Sequence, residues 1–124
     1  MQIRRKRRDP LHAPMMRVFA DAGCSVYDTA DVGGGFSDFI AASGPFSLYI
    51  EVKSPPGPRG GISGKGRSLN PKQTKFAATW KGYVIVEHSL EKAAEDAGWL
   101  IGSHRRWRKA EHLRLKKLQK EEKE

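Results

Sequence analysis

The amino-acid sequence predicts an α/β fold, with a mixed central β-sheet flanked by helices, in a single domain spanning residues 1–124. Two observations support this fold class. Strand-like and helix-like segments follow one another in the order α-β-β-β-loop-α-β-α-α, so helices fall between strands. A hairpin comes first, because two early strands are separated only by a short turn. This combination is typical of an α/β sandwich on a mixed sheet.

The first helix is predicted over residues 10–22. Asp9 is a suitable N-cap, Pro10 suits the first helical position, and Gly23 suits the residue that ends the helix. A short strand is expected next, over residues 24–28.

The hairpin is predicted from two strands and two turns. A glycine turn at 33–35 leads into a strand over 37–42, and the Ser-Gly-Pro turn at 43–45 leads into a strand over 46–53. The second of these strands has the clearest alternation in the chain, and the two are expected to pair antiparallel.

The middle of the chain alternates between irregular and regular structure. Residues 54–68 contain five Gly and three Pro, which predicts a flexible Gly/Pro loop. Asn70 and Pro71 then open a helix as N-cap and first helical residue, and Gly82 is expected to end it. A buried strand is predicted over 83–87.

Two further helices are predicted at the C-terminal end. Ser89 caps a short helix that ends near residue 97, and a separate basic C-terminal helix covers about 103–120. Four apolar residues around them are expected either to form a dimer seam or to complete the monomer core: Trp99, Leu100, Ile101 and Trp107.

The positive charge of the chain is concentrated at its two ends. The N-terminal arm, residues 1–8, carries five cations, and residues 103–124 carry nine Lys/Arg against four Glu. Because the net charge is +9, the intervening body is nearly neutral. This distribution is typical of a protein whose ends contact nucleic-acid phosphates, although charged solvated termini give the same pattern.

Composition excludes several other classes. The one cysteine, Cys24, excludes an intrachain disulfide and a Cys-based zinc cluster, which favours a reducing intracellular compartment. No apolar run approaches the roughly 18–20 residues that span a membrane, so no membrane association is predicted. The four histidines show no metal-ligand spacing and are expected at the surface.

The strand over 46–53 carries the most informative residues. Side chains alternate between the two faces of a strand, so an apolar set, Leu48, Ile50 and Val52, is expected in the core. Glu51 and Lys53 then share the opposite face. Asp38, about one hairpin away, is the natural second carboxylate. Two carboxylates beside a lysine favour a hard metal and the metal-assisted hydrolysis of a phosphodiester.

Asp38 after the glycine turn, the Glu-Val-Lys triplet at 51–53, and Gln73 in the first turn of its helix form an ordered set. This set resembles the PD-(D/E)xK nuclease superfamily, and within it the small phage-type VRR-NUC nucleases. The similarity runs from about residue 33 to residue 86. It implies a restriction-endonuclease-like core and a Mg²⁺- or Mn²⁺-dependent endodeoxyribonuclease acting on duplex or branched DNA. It also implies a phage or prophage protein of the bacterial host cytoplasm.

The resemblance assigns a role to each matching residue. Asp38 and Glu51 would ligate the metal, with the backbone carbonyl of Val52 as a further ligand. Lys53 would act on the attacking water or on the phosphoryl oxygens, and Gln73 would orient Lys53 or the nucleophile.

The sequence departs from the family pattern at two positions. Ser37 stands where the family usually has proline. Pro14 stands where the first helix often carries an acidic residue, for which Asp9 or Asp21 is the available substitute.

DNA contacts are expected from the arm, the Gly/Pro loop and the basic helix, and a homodimer would give so small a domain a two-sided DNA surface. The candidate residues are Arg4, Arg5, Lys6, Arg7, Arg8, Arg59, Lys65, Arg67, Arg105, Arg106 and Arg108. Two alternatives remain open. One is a non-catalytic nucleic-acid-binding protein on a decayed nuclease fold, and the other is a small structural or regulatory phage protein with charged tails.

Overall fold

A computed structural model describes residues 9–53 and 69–123 of the chain. The described part contains three helices and four strands, and the predicted α/β class is confirmed. In chain order the elements are α1 (His12–Asp21), β1 (Ser25–Asp28), β2 (Phe39–Ser43), β3 (Phe46–Val52), α2 (Pro71–Thr79), β4 (Tyr83–Glu87) and α3 (Leu90–Glu122). The predicted N-terminal arm and Gly/Pro loop lie outside the described residues.

The four strands form one mixed sheet in the order β1-β2-β3-β4. β1 pairs antiparallel with β2, and β2 pairs antiparallel with β3, with Phe39 opposite Ile50. β4 lies parallel to β3, with Val52 beside Glu87. The predicted hairpin is therefore present, and the crossover through α2 supplies the parallel strand.

The hydrophobic core lies between one face of the sheet and the helices α1 and α3. Leu48, Ile50 and Val52 are buried there, as their alternation along β3 predicts. The core is completed by α1, β2 and α3 residues, among them Met15, Phe19, Phe39, Ala41, Ala93, Ala97 and Leu100. Leu100 is fully buried and Ile101 packs on the same cluster, so these two complete the monomer core.

The N-terminal end of α1 differs from the prediction. The N-cap is Leu11, and Asp9 does not cap the helix. Instead the Asp9 carboxylate accepts a hydrogen bond from the Leu11 N–H at 2.8 Å, which closes a tight turn before the helix begins at His12. The predicted end is correct, because Gly23 follows the helix with φ of 105°.

The start of α2 follows the prediction closely. The Asn70 side chain accepts from the Gln73 N–H, and the Gln73 side chain accepts from the Asn70 N–H, each at 2.9 Å. This reciprocal pair is a capping box, with Pro71 at the first helical position. The box fixes the direction of the Gln73 side chain as well as the helix start.

The two helices predicted after β4 are one helix of 33 residues, α3. A basic helix confined to about 103–120 is therefore wrong, and that segment is the C-terminal part of α3. The helix continues through Gly98 and Gly102 because its buried residues, Ala93, Ala97, Leu100 and Ser103, form one stripe against the core. Burial of this stripe offsets the roughly 1 kcal/mol that each helical glycine costs.

Beyond Ser103 no described residue of α3 is buried, so this part of the helix runs past the packed core. At 1.5 Å per residue the exposed part is about 28 Å long. Within the part of the chain that the structure describes, no helix combines the length and apolarity needed to cross a membrane.

Candidate active site

The motif residues meet where β3 ends and β2 begins. Asp38 directly precedes β2, and two hydrogen bonds tie it to the end of β3: its N–H donates to the Ile50 carbonyl and its Oδ2 accepts from the Val52 N–H. Alternation along β3 puts Glu51 and Lys53 on the same face. Asp38, Glu51 and Lys53 therefore lie at one end of the sheet, and Glu51 is on the face opposite the α1–α3 core.

Asp38 is held by three hydrogen bonds. Its N–H donates to the carbonyl of Ile50, and its own carbonyl accepts from the Thr29 N–H, both at 2.9 Å. Its carboxylate oxygen Oδ2 accepts from the N–H of Val52 at 2.8 Å. The carboxylate is thus fixed against the backbone between Glu51 and Lys53, because Val52 separates these two residues in the chain.

Glu51 is only 2% exposed, which is unusual for a carboxylate on the face away from the apolar core. The Gln73 side-chain amide donates from Nε2 to Glu51 Oε2 at 2.8 Å. Gln73 is itself buried, and its Oε1 is engaged by the Asn70 N–H. The Gln73 amide therefore joins the first turn of α2 to the end of β3.

Val52 and Lys53 sit beside the strand β4. The Val52 side chain is buried in the core, and its N–H is used by Asp38. The Lys53 N–H donates to the Glu87 carbonyl at 3.0 Å, which continues the parallel ladder past the end of β3. The Lys53 side chain is half-buried. The Lys53 backbone is therefore fixed at the same end of the sheet as Asp38.

The glycine turn before Asp38 packs against the start of α2. Gly33, Gly34 and Gly35 all have positive φ, between 66° and 84°. A Cβ on Gly35 would overlap with the Lys72 carbonyl, so only glycine permits this close approach. The turn also has a buried side, where the Thr29 hydroxyl donates to the Ser37 carbonyl at 2.6 Å.

An aromatic cluster joins the same three elements next to the site. It consists of Phe36, Tyr49, Phe76 and Trp80, whose ring centroids lie between 4.7 and 6.4 Å apart. Trp80 is 39% exposed, so it lies at the edge of this cluster. The cluster holds α2 over the sheet and thereby holds Gln73 over Glu51.

The two possible substitutes for the missing first-helix carboxylate lie at opposite ends of α1. Asp21 is the last residue of α1, next to the turn at Gly23, whereas Asp9 precedes its first turn. The first residue, His12, lies 3.3 Å from the Asp28 carboxylate at the end of β1. Asp9 therefore lies at the same end of the sheet as Asp38 and Glu51, and Asp21 lies at the opposite end.

One of the four histidines contradicts the surface prediction. His12 is buried and packs edge-on against Phe39 at 5.9 Å. His12 lies in the first turn of an amphipathic helix, on the side that faces the core, and the Asp28 carboxylate is a polar neighbour there. The surface prediction followed from the polar residue type of His12, whereas its place on the buried face of α1 decides its position.

Glu87 is a buried carboxyl at this end of the sheet that the sequence did not single out. It ends β4 beside Val52 and faces Asp96 of α3. Burial raises the pKa of Glu87 from 4.5 to about 8, and the Asp96 carboxylate adds to the rise while Lys92 opposes it. When Glu87 is ionised, neither of its buried oxygens has a hydrogen-bond donor among the described residues. The only sequence signal was an acidic residue at the end of an apolar strand.

The donor set suits a hard divalent cation. Asp38 and Glu51 offer carboxylate oxygens, and each oxygen has two lone pairs, so the hydrogen bonds from Val52 and Gln73 do not prevent metal ligation. Across residues 9–53 and 69–123, no three His, Cys, Asp or Glu side chains are grouped to hold a metal. A cation here would therefore rest on two carboxylates, with backbone oxygens and water as the other ligands.

The predicted DNA-binding residues divide into two sets. Arg105, Arg106 and Arg108 are exposed on α3 where it leaves the sheet. The others lie outside the described residues: Arg4, Arg5, Lys6, Arg7, Arg8, Arg59, Lys65 and Arg67. The candidate metal ligands Asp38 and Glu51 and the basic residues of α3 lie at different ends of the sheet, since Arg105 lies near the β2–β3 turn.

Comparisons with protein-family models, with curated proteins and with solved structures found no match to this chain. The resemblance to PD-(D/E)xK nucleases therefore rests on the motif residues themselves.

Proposed function

We propose that the protein is a Mg²⁺- or Mn²⁺-dependent endonuclease that hydrolyses phosphodiester bonds in DNA. The observation that carries the proposal is the convergence of Asp38, Glu51 and Lys53 at one sheet end, with Asp38 bonded to the backbone between the other two. A buried carboxylate positioned by a buried glutamine is costly to fold, and such residues concentrate at functional sites.

Each residue has a chemical task in this proposal. A bound divalent cation would activate water and neutralise charge on the phosphate. Asp38 and Glu51 would hold that cation, aided by the Val52 carbonyl. Lys53 would donate to the attacking water or to a phosphoryl oxygen. Gln73 would act as a positioning residue, because its amide contacts Glu51.

The broader assignment follows from the same motif set. The chain would belong to the PD-(D/E)xK superfamily, close to the phage-type VRR-NUC nucleases, with a restriction-endonuclease-like core. Its setting would be the cytoplasm of a bacterial host, and a homodimer would present two sites to duplex or branched DNA. The exposed basic part of α3 would add phosphate contacts.

A cleavage panel tests this function. The wild-type protein is incubated with Mg²⁺ or Mn²⁺ and with duplex, single-stranded, flap or four-way-junction DNA. Cleavage of at least one substrate that EDTA abolishes is expected. Lys53→Met should remove cleavage while calorimetric Mn²⁺ titration still shows binding, and Lys81→Met, in the turn before β4, is the matched control. No cleavage of any substrate by the wild type would overturn the proposal.

A second candidate is nucleic-acid binding without catalysis, and it is favoured by the exposed basic segment of α3, which needs no metal to contact phosphates. Salt-dependent DNA binding by a protein that neither cleaves DNA nor binds Mn²⁺ would select this candidate.

A further inference from the structure

A second polar site lies at the opposite end of the sheet from Asp38 and Glu51. It is a cavity of about 380 Å³ beside the β2–β3 turn. Its lining comes from the turn after α1, from β1, from the end of β2 with the turn that follows it, and from α3: Gly23, Ser25, Ala42, Ser43, Gly44, Ile101, His104, Arg105 and Arg108. The volume falls in the range of roughly 300–1,000 Å³ typical of small-molecule sites.

Three side chains in the lining form a hydrogen-bonded chain. Ser43 Oγ lies 2.9 Å from His104 Nδ1, and Arg108 Nη2 lies 3.3 Å from His104 Nε2. A guanidinium only donates, so Nε2 of His104 is the acceptor in this arrangement. The neutral imidazole then carries its proton on Nδ1 and donates it to Ser43 Oγ.

This tautomer determines what Ser43 can do. Because His104 Nδ1 donates to Ser43, the imidazole cannot take the serine proton, and Ser43 is not set up as a nucleophile. The Ser43 hydroxyl hydrogen remains available for a ligand. The cavity therefore offers a neutral donor from Ser43 and charged donors from Arg105 and Arg108.

The lining is suited to an anion. It contains two arginines and one histidine, and no Asp or Glu is among the described lining residues. Ile101, His104, Arg105 and Arg108 occur at intervals of three, one and three residues, which puts them on one face of α3. Arginine forks match the geometry of phosphate oxygens.

The position of His104 is fixed by the turn opposite it. Gly44 has φ of 58°, and a Cβ there would overlap with the His104 ring. The turn backbone therefore lies directly on the imidazole. Four segments of the chain converge on the cavity, and the fold holds Ser43 and His104 beside the exposed side chains of Arg105 and Arg108.

We propose that this cavity binds a phosphoryl group, held by Arg105 and Arg108 and by the hydroxyl of Ser43. The site is distinct from the proposed metal centre, because the seven residues of β3 separate them by about 20 Å. The phosphoryl group belongs either to a free phosphorylated small molecule or to the backbone of DNA. The proposal does not depend on nuclease activity.

Calorimetric titration of the full-length protein with inorganic phosphate and with ribose 5-phosphate tests the site. The double variant Arg105→Ala/Arg108→Ala should bind phosphate at least tenfold more weakly than the wild type. The matched control is Arg106→Ala/Lys109→Ala, which removes the same charge from the same helix turns but no lining residue. This control should change phosphate affinity less than about twofold. Ser43→Ala should weaken binding by a smaller factor than the arginine pair.

Two results would overturn the proposal. One is the absence of phosphate and ribose 5-phosphate binding at concentrations up to about 10 mM. The other is an equal loss of affinity in the lining and control variants, which would mean that only net charge matters.

A competition experiment identifies the source of the phosphoryl group. If duplex DNA displaces phosphate and the lining variant weakens DNA binding more than the control, the ligand is the DNA backbone. If the lining variant loses phosphate binding alone, the ligand is a small phosphorylated molecule. Asp38→Asn should retain phosphate binding, so failure of the nuclease proposal is separable from failure of this one.

Discussion

The Gln73 side-chain amide donates to Glu51 Oε2 at 2.8 Å, so a helix start and a strand end are joined by one buried side chain. The same side chain closes the capping box with Asn70. The Glu51 carboxylate, which is 2% exposed, thereby accepts a hydrogen bond from a side chain that the first turn of α2 holds in place. The Gln73 side chain therefore both caps α2 and positions Glu51, the candidate metal ligand.

Replacing Gln73 by Glu separates these two roles. A glutamate at this position retains an acceptor for the Asn70 N–H, but it sets a second carboxylate against Glu51. We expect Gln73→Glu to lower the free energy of unfolding at neutral pH by about 1–3 kcal/mol and cleavage by at least about tenfold. Urea unfolding and single-turnover cleavage measure the two effects.

Asn70→Ala is the matched control for Gln73→Glu. It removes the cap, at a cost of about 1 kcal/mol, but leaves the Glu51 contact in place. Its cleavage rate should stay close to that of the wild type. An equal loss of cleavage in Asn70→Ala would mean that Gln73 contributes only helix stability.

Asp38 is expected to serve both the fold and the chemistry. Asp38→Ala leaves the Val52 N–H without its carboxylate acceptor, which should lower the free energy of unfolding by about 1–3 kcal/mol. Asp38→Asn retains an oxygen acceptor and should be destabilised by less. Both variants should lose at least about 100-fold in cleavage, because the metal-binding charge is gone. Cleavage within tenfold of the wild type in Asp38→Asn would remove Asp38 from the metal site.

The glycine turn allows a paired test of its packing role. Gly34→Ala places a Cβ in open space and carries only the cost of positive φ, about 1–2 kcal/mol. Gly35→Ala adds an overlap with the Lys72 carbonyl, which should cost a further 1–3 kcal/mol or so and shift α2. Thermal unfolding compares the stabilities. Equal stability of the two variants would show that Gly35 does not position α2.

The raised pKa of Glu87 gives a pH dependence with a definite sign. Because the pKa of about 8 in the folded protein exceeds the ordinary 4.5, the stabilising contribution of protonated Glu87 is complete below about pH 4.5 and is lost as pH rises through 8. The stability of Glu87→Gln relative to the wild type should therefore increase between about pH 5 and about pH 8.5, by up to about 4 kcal/mol.

Urea unfolding across that pH range measures the Glu87 effect. Glu91→Gln, in the first turn of α3 and exposed, is the control and should show no such trend. A pH-independent difference between Glu87→Gln and the wild type would show that Glu87 is ionised in the folded protein throughout this range.

The N-terminal arm is expected to set DNA affinity and to leave the chemistry unchanged. Deleting residues 1–8 removes five positive charges. Each lost phosphate contact makes the slope of log K against log salt shallower by about 0.9, so a change of about 2–4 is expected. The cleavage rate at saturating DNA should stay the same. An unchanged salt slope would identify the arm as a solvated tail, and normal binding without cleavage would place active-site residues in it.

Local pattern was enough to predict most of the secondary structure. The alternation in β3, the Asn70-Pro71 helix start and the glycine that ends α1 are short-range signals, because each depends on the φ/ψ or hydrogen-bonding preference of one or two residues. The mixed sheet also followed from the order of elements. The predicted break between two C-terminal helices was wrong because burial of a stripe on α3, a tertiary effect, outweighs the intrinsic cost of Gly98 and Gly102.

By itself, the sequence determined the strand face shared by Glu51 and Lys53, the ends of most elements, and the concentration of charge at the termini. Only the tertiary structure decided that Asp38 bonds the Val52 backbone, that Gln73 reaches Glu51, that Glu87 is buried, and that Ser43 meets His104. The reason is physical. Periodicity and propensity report on the nearest few residues, whereas these contacts join positions 14 to 61 residues apart, and sheet register and helix packing bring them together.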